Sequence, residues 1–536
     1  MRILLILLIL LCCGCQKQEV VMPDDNSTAA PAYGDTFIEA SIGEPSNLLP
    51  VLASDSASSD INGLVYNGLI RYNKDLILEG ELAESWEISE DNLTITFHLR
   101  KGVLWHDGVP FTSADVLFTY NVYIDPKTPT AYAESYKQVA RAEAPDLYTF
   151  RVTYDKPYAP ALGSWGVSIM PKHLLEHTEI TKSPLSRMPV GTGPFRFVEW
   201  KPGETLVLES NPDYFEGQPY IRRVLYRIIP DLSTQFLELQ SGGLDFMGLT
   251  PIQYQTQTDT LAFKRRFEKY RYLAFGYTYL GYNLNRPLFQ DKRVRQAIAH
   301  AIDKQEIIDG VLLGLGQVAT GPYKPDTWVY NPDVRRYPHD AAKAKALFAE
   351  AGWRDSDGDG ILDKDGQKFS FTIVTNQGND LRVKSGEIIQ RRLQEVGIEV
   401  KLRVIEWASF LKEFINPGNF EATILAWSGS PEPDQYDIWH SSKTGPRELN
   451  FIRFKNPEVD ELLEKGRRTF DQQERKACYD RFQAILAEEQ PYTFLYVSEA
   501  LPVVARRFRG VEAAPAGIRY NFIKWYVPEK EQKYQR

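Results

Sequence analysis

Three strand patterns separated by helical segments, between Lys368 and Trp427, constrain the fold of this chain most strongly. Apolar residues occupy alternate positions in the first two patterns, at Phe369, Phe371 and Ile373 and then at Ile398, Val400, Leu402 and Val404. The third pattern runs from Ala422 to Trp427. A helical pattern from Arg382 to Val396 joins the first two strands and stops before Gly397, a typical C-cap residue. This order predicts a βαβ unit with a parallel sheet, and therefore a doubly wound α/β lobe.

Two loops of this lobe are expected at the edge where a ligand would bind. Ligands of doubly wound sheets bind beyond the carboxyl ends of the strands. The first loop at that edge runs from Thr375 to Asp380 and includes Asn376, and the second runs from Trp427 to Ser430. We therefore regard both loops, with Asn376 among their residues, as candidates for a ligand-binding site.

A second informative stretch runs from Ala83 to Val116, where strand, turn and helix signals follow one another. Apolar residues at alternate positions from Leu93 to Leu99 predict a strand that is buried on one face. Asp107-Gly108 predicts a turn. The spacing Thr112-x-x-Asp115 predicts a capping box at the start of a helix.

The residue pattern of that stretch is W-x-x-S…T-x-x-F-x-L-R-x-G-V…H-D-G…T-x-x-D-V. It resembles the sequences of the extracellular solute-binding proteins that feed peptide-type ABC importers. Further segments resemble the same family, namely VGTGPFRFVEW from Val190 to Trp200, YNLNRPLFQDKRVRQAIAHAIDKQEII from Tyr282 to Ile308, and FKNPEVDELL and PYTFLYV nearer the end. The resemblance therefore covers nearly all of the mature chain.

The resemblance implies an α/β fold of the type II periplasmic-binding-protein-like kind, with two lobes around a cleft. It also implies an extra small α+β domain on the first lobe. We expect lobe I to comprise residues 35–67, 191–280 and 498–536, the appended domain to comprise residues 68–190, and lobe II to comprise residues 281–497. Two crossings between the lobes, near Leu280 and near Val497, would form a hinge.

The loop that begins at Trp427 carries the family's peptide contacts and one departure from them. In peptide-binding members, backbone groups around this tryptophan pair with the main chain of the ligand, which implies contacts from Ala426, Trp427 and Ser428. An Asp three residues after the tryptophan holds the ammonium group of the ligand, but this chain has Ser430 there. Because a serine hydroxyl carries no charge, a charge-assisted hydrogen bond of about 1.5 to 3 kcal/mol would be missing.

Charged residues near these loops offer alternative anchors for a ligand. Glu432 or Asp434 could take the place of the missing Asp, and a solvated loop position explains either residue equally well. Arg382 is a candidate for holding a ligand carboxylate. The alternative interpretation is that Arg382 lies on the surface of a helix and has no role in binding.

The resemblance also implies looser ligand contacts outside these loops. They are Ser54 and Asp55 after the NLLP turn, Tyr132 at the cleft edge of the appended domain, and Tyr496 at the hinge. Each of these residues has a structural explanation as well, because binding pockets use few polar groups among many residues that only pack.

The N-terminal residues predict export. Arg2 is followed by an apolar run, about half as long as a bilayer-spanning helix, which is typical of a signal peptide over residues 1–14. Gly14-Cys15 resembles a lipoprotein cleavage site, so Cys15 is the expected lipidation site, with ordinary signal cleavage nearby as the alternative. The polar residues 15–34 predict a flexible tether. We expect a protein in the periplasm or on the outer face of the membrane, held only by the lipid on Cys15.

Charge and cysteine content exclude some partners. The net charge of -9 and the pI near 5.5 argue against nucleic-acid binding, because no basic stripe could neutralise phosphates. Cys478 remains alone once the N-terminal cysteines are removed or lipidated, and its helical context predicts an inert buried thiol. A chain of 536 residues exceeds what one core organises, so two or three domains are expected.

Metal and enzyme motifs are weak or missing. Asp355-x-Asp357-x-Asp359-Gly360 begins like a calcium loop, but its twelfth position is Gly366 where a Glu is needed, so we expect a polar turn. His173 and His177 are spaced to share a helix face, yet without a third ligand we expect surface histidines. No G-x-S-x-G, H-E-x-x-H or phosphate-binding glycine loop occurs in the sequence. We expect neither a metal site nor a cofactor.

These features predict a monomeric protein that captures a short peptide by lobe closure and performs no chemistry on it. The peptide would pass to an ABC permease with its transmembrane subunits and ATPase. Within the same family, the alternative ligand is another small polar solute such as an oligosaccharide or a nickel chelate. From a different class, the alternative is a secreted lipoprotein hydrolase, which would turn its ligand over instead of holding it.

Overall fold

Two seven-stranded sheets and one four-stranded sheet form the framework of the protein, which a computed structural model describes over residues 30–534. The strands are β1 Gly34–Ser41, β2 Ile70–Tyr72, β3 Leu78–Gly80, β4 Ala83–Ile88, β5 Thr94–Leu99, β6 Val139–Asp146, β7 Thr149–Tyr154, β8 Phe195–Lys201, β9 Thr205–Ser210, β10 Ile221–Ile228, β11 Phe246–Gly248, β12 Phe267–Lys269, β13 Tyr272–Leu273, β14 Gly276–Tyr282, β15 Gly316–Val318, β16 Asp363–Lys364, β17 Gln367–Lys368, β18 Ser370–Asn376, β19 Glu399–Ile405, β20 Ala422–Ser428, β21 Tyr492–Ala500 and β22 Pro502–Ala505. The helices are α1 Ser56–Val65, α2 Ser113–Ile124, α3 Glu134–Lys137, α4 Lys172–Leu175, α5 Leu232–Ser241, α6 Leu261–Arg266, α7 Lys292–Ala301, α8 Lys304–Gly310, α9 Ala341–Glu350, α10 Asp380–Gln394, α11 Trp407–Ser409, α12 Tyr436–Trp439, α13 Pro457–Arg468 and α14 Gln472–Glu489. Within these described residues, none of the helices has both the length and the apolar character that crossing a membrane requires. Cys15 and the predicted signal peptide over residues 1–14 lie outside the described residues.

The first seven-stranded sheet gathers three separate parts of the chain, in the order β12-β22-β11-β1-β10-β9-β8. β1 comes from the beginning of the chain, β8 to β12 come from its middle, and β22 comes from near its end. A buried ion-pair cluster joins the same three parts, because the Arg507 guanidinium contacts the carboxylates of Asp35 and Asp245. A buried charge is strongly destabilising without a partner, so this cluster helps to fix how the three parts meet.

A four-stranded antiparallel sheet, β4-β5-β7-β6, and the helix α2 form the appended domain. β5 confirms the predicted strand, since Ile95, Phe97 and Leu99 are buried and the residues between them are half-buried. The predicted capping box is also confirmed: the Thr112 N–H donates to the Asp115 carboxylate at 2.9 Å at the start of α2. Local sequence patterns therefore determine both elements.

The second seven-stranded sheet contains the predicted βαβ unit. Its order is β13-β21-β14-β20-β18-β19, with β15 paired to β21. β18 and β19 are parallel, and α10 connects them. α10 begins at Asp380, two residues earlier than the pattern predicts, because the Asn379 side chain caps it by accepting the Arg382 N–H. The chain leaves the helix through Gly397, whose φ of 88° suits glycine.

Both faces of this second sheet are covered by apolar packing. Residues of α7, α9 and α10 form the core on one face, with Ile298, Phe348 and Ile389 fully buried. Residues of α13 and α14 contribute to the core on the other face. The ends of the strands are therefore the part of the sheet left for a ligand.

The two strands that connect the lobes extend past the expected hinge positions. β14 begins at Gly276 and β21 ends at Ala500, so Leu280 and Val497 lie inside paired strands. Ladder hydrogen bonds hold the backbone at both residues, which leaves little freedom for the φ and ψ changes of a hinge. We propose that bending occurs outside these ladders, before Gly276 and after Ala500.

Candidate ligand-binding cleft

The carboxyl end of β20 has a main-chain edge that no strand within residues 30–534 covers. β20 pairs with β14 along its whole length, but with β18 only at its first two residues. The Gly429 N–H donates to the Phe275 carbonyl at 2.6 Å, on the β14 side. Because backbone groups alternate in direction along a strand, those of Ala426 and Ser428 point to the opposite, open side. Two of the predicted contact residues therefore offer free N–H and C=O groups.

Arg382 brings an unpaired positive charge to the same end of the sheet. It lies in the first turn of α10, just after β18, where it is half-buried and its guanidinium donates to Asn376 Oδ1 at 2.6 Å. No carboxylate in the described part of the chain forms an ion pair with it. Burial lowers the pKa of Arg382, and only the neighbouring hydroxyls of Tyr496 and Tyr279 act in the opposite direction. An anionic group on a ligand would supply the missing counter-charge.

Asn376 and Tyr496 support this charge from within the sheet. Both side chains are buried. The Asn376 amide donates to the Gln377 carbonyl at 2.9 Å, which leaves its oxygen for Arg382. Tyr496 pairs across β21 and β14 with Thr278, which in turn pairs with Ala426. The structure therefore places these two predicted residues close to the open edge of β20. Their side chains are buried, so they support the site and do not form its exposed surface.

The side chain of Trp427 is fixed by the core of lobe II. Its indole Nε1 donates to the Tyr492 hydroxyl at 3.2 Å. Its ring packs against Phe451, with ring centroids 5.7 Å apart. The indole is half-buried, so one part of a rigid aromatic ring remains available to a ligand.

The two acidic residues that could replace the missing Asp are already paired. The Arg475 guanidinium contacts the Glu432 carboxylate. Asp434 accepts three hydrogen bonds from Arg467, two from Nε at 2.9 and 2.8 Å and one from Nη2 at 2.6 Å. Since each carboxylate already neutralises an arginine, neither has a free charge for a ligand ammonium group.

Ser430 lies where lobe II meets the appended domain. It is exposed, and its hydroxyl accepts the Glu432 N–H at 3.3 Å. It also stands beside the Tyr72 hydroxyl, whose pKa is raised by burial and by the Glu432 carboxylate. The position where the family resemblance leads us to expect an Asp is therefore part of a contact between domains.

The two lobes touch at the cleft. A Cβ atom added to Gly43 of lobe I would lie 2.9 Å from the Cβ of Trp407 in lobe II. A Cβ atom added to Gly378 of lobe II would lie 2.5 Å from the carbonyl oxygen of Pro230 in lobe I. Only glycine fits at such distances, so the structure represents a closed arrangement of the lobes.

A cavity of 510 Å³ remains between the closed lobes. Ser54 of lobe I and Tyr132 of the appended domain line one wall, and Leu411 and Asn416 of lobe II line the other. Burial raises the pKa of Tyr132 to about 12, so its hydroxyl is protonated at neutral pH. Two predicted contact residues thus line the cavity between the lobes.

Asp55, in contrast, is used by the fold. It is the N-cap of α1, and its Oδ1 accepts the Ser58 N–H at 3.0 Å. Its other oxygen accepts hydrogen bonds from the hydroxyls of Ser58 and Ser46. Its carboxylate therefore stabilises the start of the helix behind Ser54.

The acidic loop after Trp353 forms a self-bonded turn. Carboxylate oxygens of Asp355, Asp357 and Asp363 lie within 4.8 Å of one another. Asp355 accepts two backbone N–H groups of the loop, at 2.8 and 3.0 Å. Gly366 offers no side-chain ligand, and nothing else in the loop points to an ion.

His173 and His177 do not form a pair. α4 ends at Leu175, so His177 lies beyond the helix and its side chain is 90% exposed. His173 contacts the Asp107 carboxylate at 2.7 Å instead. The helical spacing in the sequence therefore does not bring the two imidazoles onto one helix face.

A charge cluster between lobe II and the appended domain is the main feature that the sequence does not predict. The Lys443 ammonium lies 3.1 Å from Glu134 Oε2 of the appended domain, with Asp437 and Glu448 of lobe II nearby. No local pattern marks these residues, because the cluster exists only when the domains meet.

Comparison with known proteins agrees with this architecture. A model of the bacterial extracellular solute-binding proteins, family 5 Middle, matches residues 78–448. The oligopeptide-binding protein AppA of Bacillus subtilis is 37% identical over 513 residues, which cover 94% of this chain and 93% of that protein.

Solved structures of related proteins share the two-lobed α/β fold. The structure of AppA from Bacillus subtilis in complex with a nonapeptide has a TM-score of 0.89 at 36% identity, and the match covers 93% of this chain and 100% of that chain. NikZ from Campylobacter jejuni in complex with Ni(L-His) has a TM-score of 0.84 at 28% identity, covering 92% and 99%. DppA from Helicobacter pylori in complex with peptide STSA has a TM-score of 0.84 at 29% identity, covering 93% and 99%. The chain therefore belongs to the bacterial extracellular solute-binding proteins of family 5.

Proposed function

We propose that the protein captures short peptides outside the cytoplasmic membrane and delivers them to an ABC permease. The open edge of β20 carries this proposal. An extended peptide can add to that edge as a further strand, with hydrogen bonds to the backbone of Ala426 and Ser428. Such bonds do not depend on side chains, so peptides of many sequences would be accepted.

Arg382 would hold the carboxylate of the bound peptide. Its charge has no counter-ion in the described part of the chain, and it lies at the end of the sheet beside the open edge. The ammonium end would bind without a carboxylate of the Trp427 loop, because Glu432 and Asp434 are paired with arginines. We therefore infer that recognition of the carboxyl end dominates over recognition of the amino end.

The cavity between the lobes would receive side chains of the peptide. Its volume of 510 Å³ falls within the range of about 300 to 1,000 Å³ that is typical of ligand sites. Ser54 and Tyr132 on one wall and Asn416 on the other supply hydrogen-bonding groups. Closure of the lobes around the peptide would create the surface that the permease recognises.

Two related structures contain peptides, a nonapeptide in AppA and the peptide STSA in DppA, and they support a peptide ligand here. NikZ, with Ni(L-His), supports a metal chelate as the alternative solute. The open strand edge favours the peptide, because a compact chelate has no extended main chain to pair with it.

We further propose that the mature protein is a monomer anchored by lipid on Cys15. The polar residues 15–34 would then let it move close to the membrane while it searches for its permease. Mass measurement of the membrane-extracted protein tests the anchor, because acylation of Cys15 adds the mass of the lipid and Cys15→Ser abolishes that addition.

Calorimetric titration tests the proposed binding mode. A neutral pentapeptide of alanine and glycine is compared with its C-terminal amide and with its N-acetyl form. We expect the amide to bind at least about tenfold more weakly, because it loses a charge-assisted hydrogen bond to Arg382. The N-acetyl form should stay within about threefold of the free peptide.

Arg382→Gln should bind the free pentapeptide and its C-terminal amide with equal affinity. The matched control, Lys384→Gln at an exposed position of the same helix, should still bind the amide more weakly than the free peptide. Equal binding of acid and amide to the unaltered protein would contradict the role of Arg382. Binding of nickel-histidine with no binding of any peptide would contradict the peptide ligand itself.

A further inference from the structure

The cavity of 510 Å³ between the lobes has an unbalanced set of charges. Arg187 of the appended domain and Lys412 and Arg447 of lobe II line it, and Glu44 of lobe I is the only acidic residue of its lining within the described part of the chain. The Lys412 ammonium lies 3.4 Å from the carboxylate of Glu413, which leaves the two arginines as the cations without a counter-ion. A cleft lined mainly by one sign of charge attracts groups of the opposite sign.

The Arg187 guanidinium is held in place but is not neutralised. It lies over the ring of Trp200, 4.0 Å from the ring centroid. Such a cation–π contact fixes the group and leaves its charge and its N–H donors available. The carboxylate of Glu44 is used on the far side of the same indole, where Oε1 accepts the Trp200 Nε1–H at 3.2 Å and the Gly203 N–H at 2.6 Å. Arg187 forms no ion pair within residues 30–534.

Arg447 occupies a backbone position that favours glycine. The Glu448 N–H donates to the Gly445 carbonyl at 3.3 Å, which closes a turn with Pro446 and Arg447 at its centre. The φ of Arg447 is 65°, as at the third position of a type II turn, where glycine is preferred. An arginine costs free energy in this conformation, so the backbone does not explain why it is there. The side chain is therefore the part of Arg447 that can have a function.

No carboxylate between residues 30 and 534 forms an ion pair with Arg447. The adjacent Glu448 is used by Lys443, whose ammonium lies 3.6 Å from its Oε2. Arg187 and Arg447 are both exposed, so a ligand can reach their side chains from the cavity. Guanidinium groups bind carboxylates through paired N–H donors, which makes a carboxylate the anion that suits this cavity best.

Closure of the lobes brings these two charges to one cavity from opposite sides. Arg187 belongs to the appended domain, whereas Arg447 is tied to lobe II, where its N–H donates to the Asn416 carbonyl at 3.2 Å. Two like charges oppose closure, and a carboxylate between them replaces that repulsion by attraction. A ligand with a suitably placed carboxylate therefore favours the closed arrangement.

We propose that this cavity selects peptides with an acidic side chain, whose carboxylate is held between Arg187 and Arg447. The inference rests on the proposed capture of peptides and names the side chain that the site prefers. The main chain of the peptide stays on the open edge of β20, and its terminal carboxylate stays on Arg382. Peptides of many sequences still bind, but those with Asp or Glu at the position that enters the cavity bind more tightly.

Calorimetric titration with substituted pentapeptides tests this preference. One Glu is placed in turn at each inner position of the alanine–glycine pentapeptide, and each peptide is compared with those that carry Gln or Lys at the same position. At one position or more, we expect Glu to bind at least about tenfold more tightly than Gln, and Lys to bind more weakly than Gln. The C-terminal amides should show the same ratio of Glu to Gln affinity, because the terminal carboxylate is held by Arg382.

Two variants remove the proposed counter-ions. Arg447→Gly deletes the charge and gives the turn the residue that suits its positive φ, so the variant should be at least as stable as the unaltered protein in thermal unfolding. Arg187→Gln deletes the other charge. Each variant should reduce the preference for Glu over Gln to about threefold or less and should bind the Gln peptide within about twofold of the unaltered protein. Lys182→Gln, at an exposed position of the appended domain outside the cavity, changes the net charge equally and should keep the full preference.

Equal binding of the Glu and Gln peptides at every position would overturn the inference and would leave peptide capture intact. A full preference in the double variant Arg187→Gln, Arg447→Gly would also overturn it, because the arginines would then not be the cause. Loss of the preference in the C-terminal amides would place the terminal carboxylate in the cavity in place of a side chain. If none of the peptides binds, the proposed function fails together with this inference.

Discussion

The Lys443 ammonium of lobe II lies 3.1 Å from Glu134 Oε2 of the appended domain, and the lysine side chain is only 3% exposed. Its other acidic neighbours, Asp437 at 3.5 Å and Glu448 at 3.6 Å, belong to lobe II itself. Closure of the lobes therefore adds the Glu134 carboxylate to a lysine that already lies beside two carboxylates of its own lobe. This pair reports on the closed state alone.

Glu134→Gln should weaken peptide binding by about fivefold, or about 1 kcal/mol. The substitution removes a charge pair that exists only after closure, whereas Lys443 keeps two carboxylates in lobe II. Calorimetric titration gives the affinity, and small-angle scattering gives the fraction of open protein. Glu448→Gln is the matched control, because its pair with Lys443 lies within one lobe. An equal loss of affinity in both variants would argue against a latch between the domains.

Ser428→Pro should weaken peptide binding about tenfold without unfolding the protein. Proline removes the N–H on the open side of β20, and edge positions of a sheet tolerate it. Ser428→Ala keeps the N–H and should bind peptide normally, so the pair of variants separates the backbone from the side chain. If Ser428→Pro binds as tightly as the unaltered protein, the ligand does not pair with this edge.

Asp434→Asn should destabilise lobe II by about 3 to 5 kcal/mol, because it leaves the buried Arg467 without its counter-ion. The Arg467 side chain is 4% exposed and the Asp434 side chain is 14% exposed. Urea unfolding measures the loss. Asp480→Asn, which breaks a surface pair with Lys476, should cost less than about 0.5 kcal/mol. A stable Asp434→Asn protein that no longer binds peptide would instead make Asp434 a ligand anchor.

His106 should make the protein less stable in mild acid. Its Nε2–H donates to the Gly193 carbonyl at 3.0 Å and its Nδ1 accepts the Gly191 N–H at 3.2 Å, so the ring is neutral. Burial lowers its pKa from 6.5 to about 4. The unfolded chain therefore binds the proton more tightly, and about 3 kcal/mol of the free energy of unfolding is lost as pH falls from about 6.5 to about 4.

Urea unfolding between pH 4 and pH 7.5 checks this expectation. His106→Gln should lose stability less steeply than the unaltered protein over this range, because glutamine has no proton to gain. His177→Gln is the control, since the His177 side chain is 90% exposed. Identical slopes in the unaltered protein and in His106→Gln would show that this histidine does not carry the effect.

Periodic patterns predicted the local elements of the fold. The strand from Thr94 to Leu99, the capping box at Thr112 and the parallel β18 and β19 all follow from spacing within a short segment. The buried thiol of Cys478 is likewise confirmed, since a residue on the inner side of a helix is set by the helical period. The βαβ unit also placed Asn376 and the Trp427 loop at one edge of the sheet.

Pairing between distant residues could not be predicted in this way. Glu432 and Asp434 had an equally good explanation as free loop residues, and only the fold brings Arg475 and Arg467 to them. The family resemblance implies a ligand contact for Asp55, whereas its role as the cap of α1 depends on where the helix begins. The charge of Arg382 was visible in the sequence, but its lack of a counter-ion was not.

Native mass spectrometry of the protein without residues 1–15 tests the central claim most directly. The protein is purified from its host without denaturation, and any bound molecule is released and identified. We expect one peptide per protein, drawn from a mixture of sequences that end in a free carboxylate, and the masses of Arg382→Gln should show little bound peptide. A single non-peptide solute bound at the same stoichiometry would contradict the account of a peptide carrier.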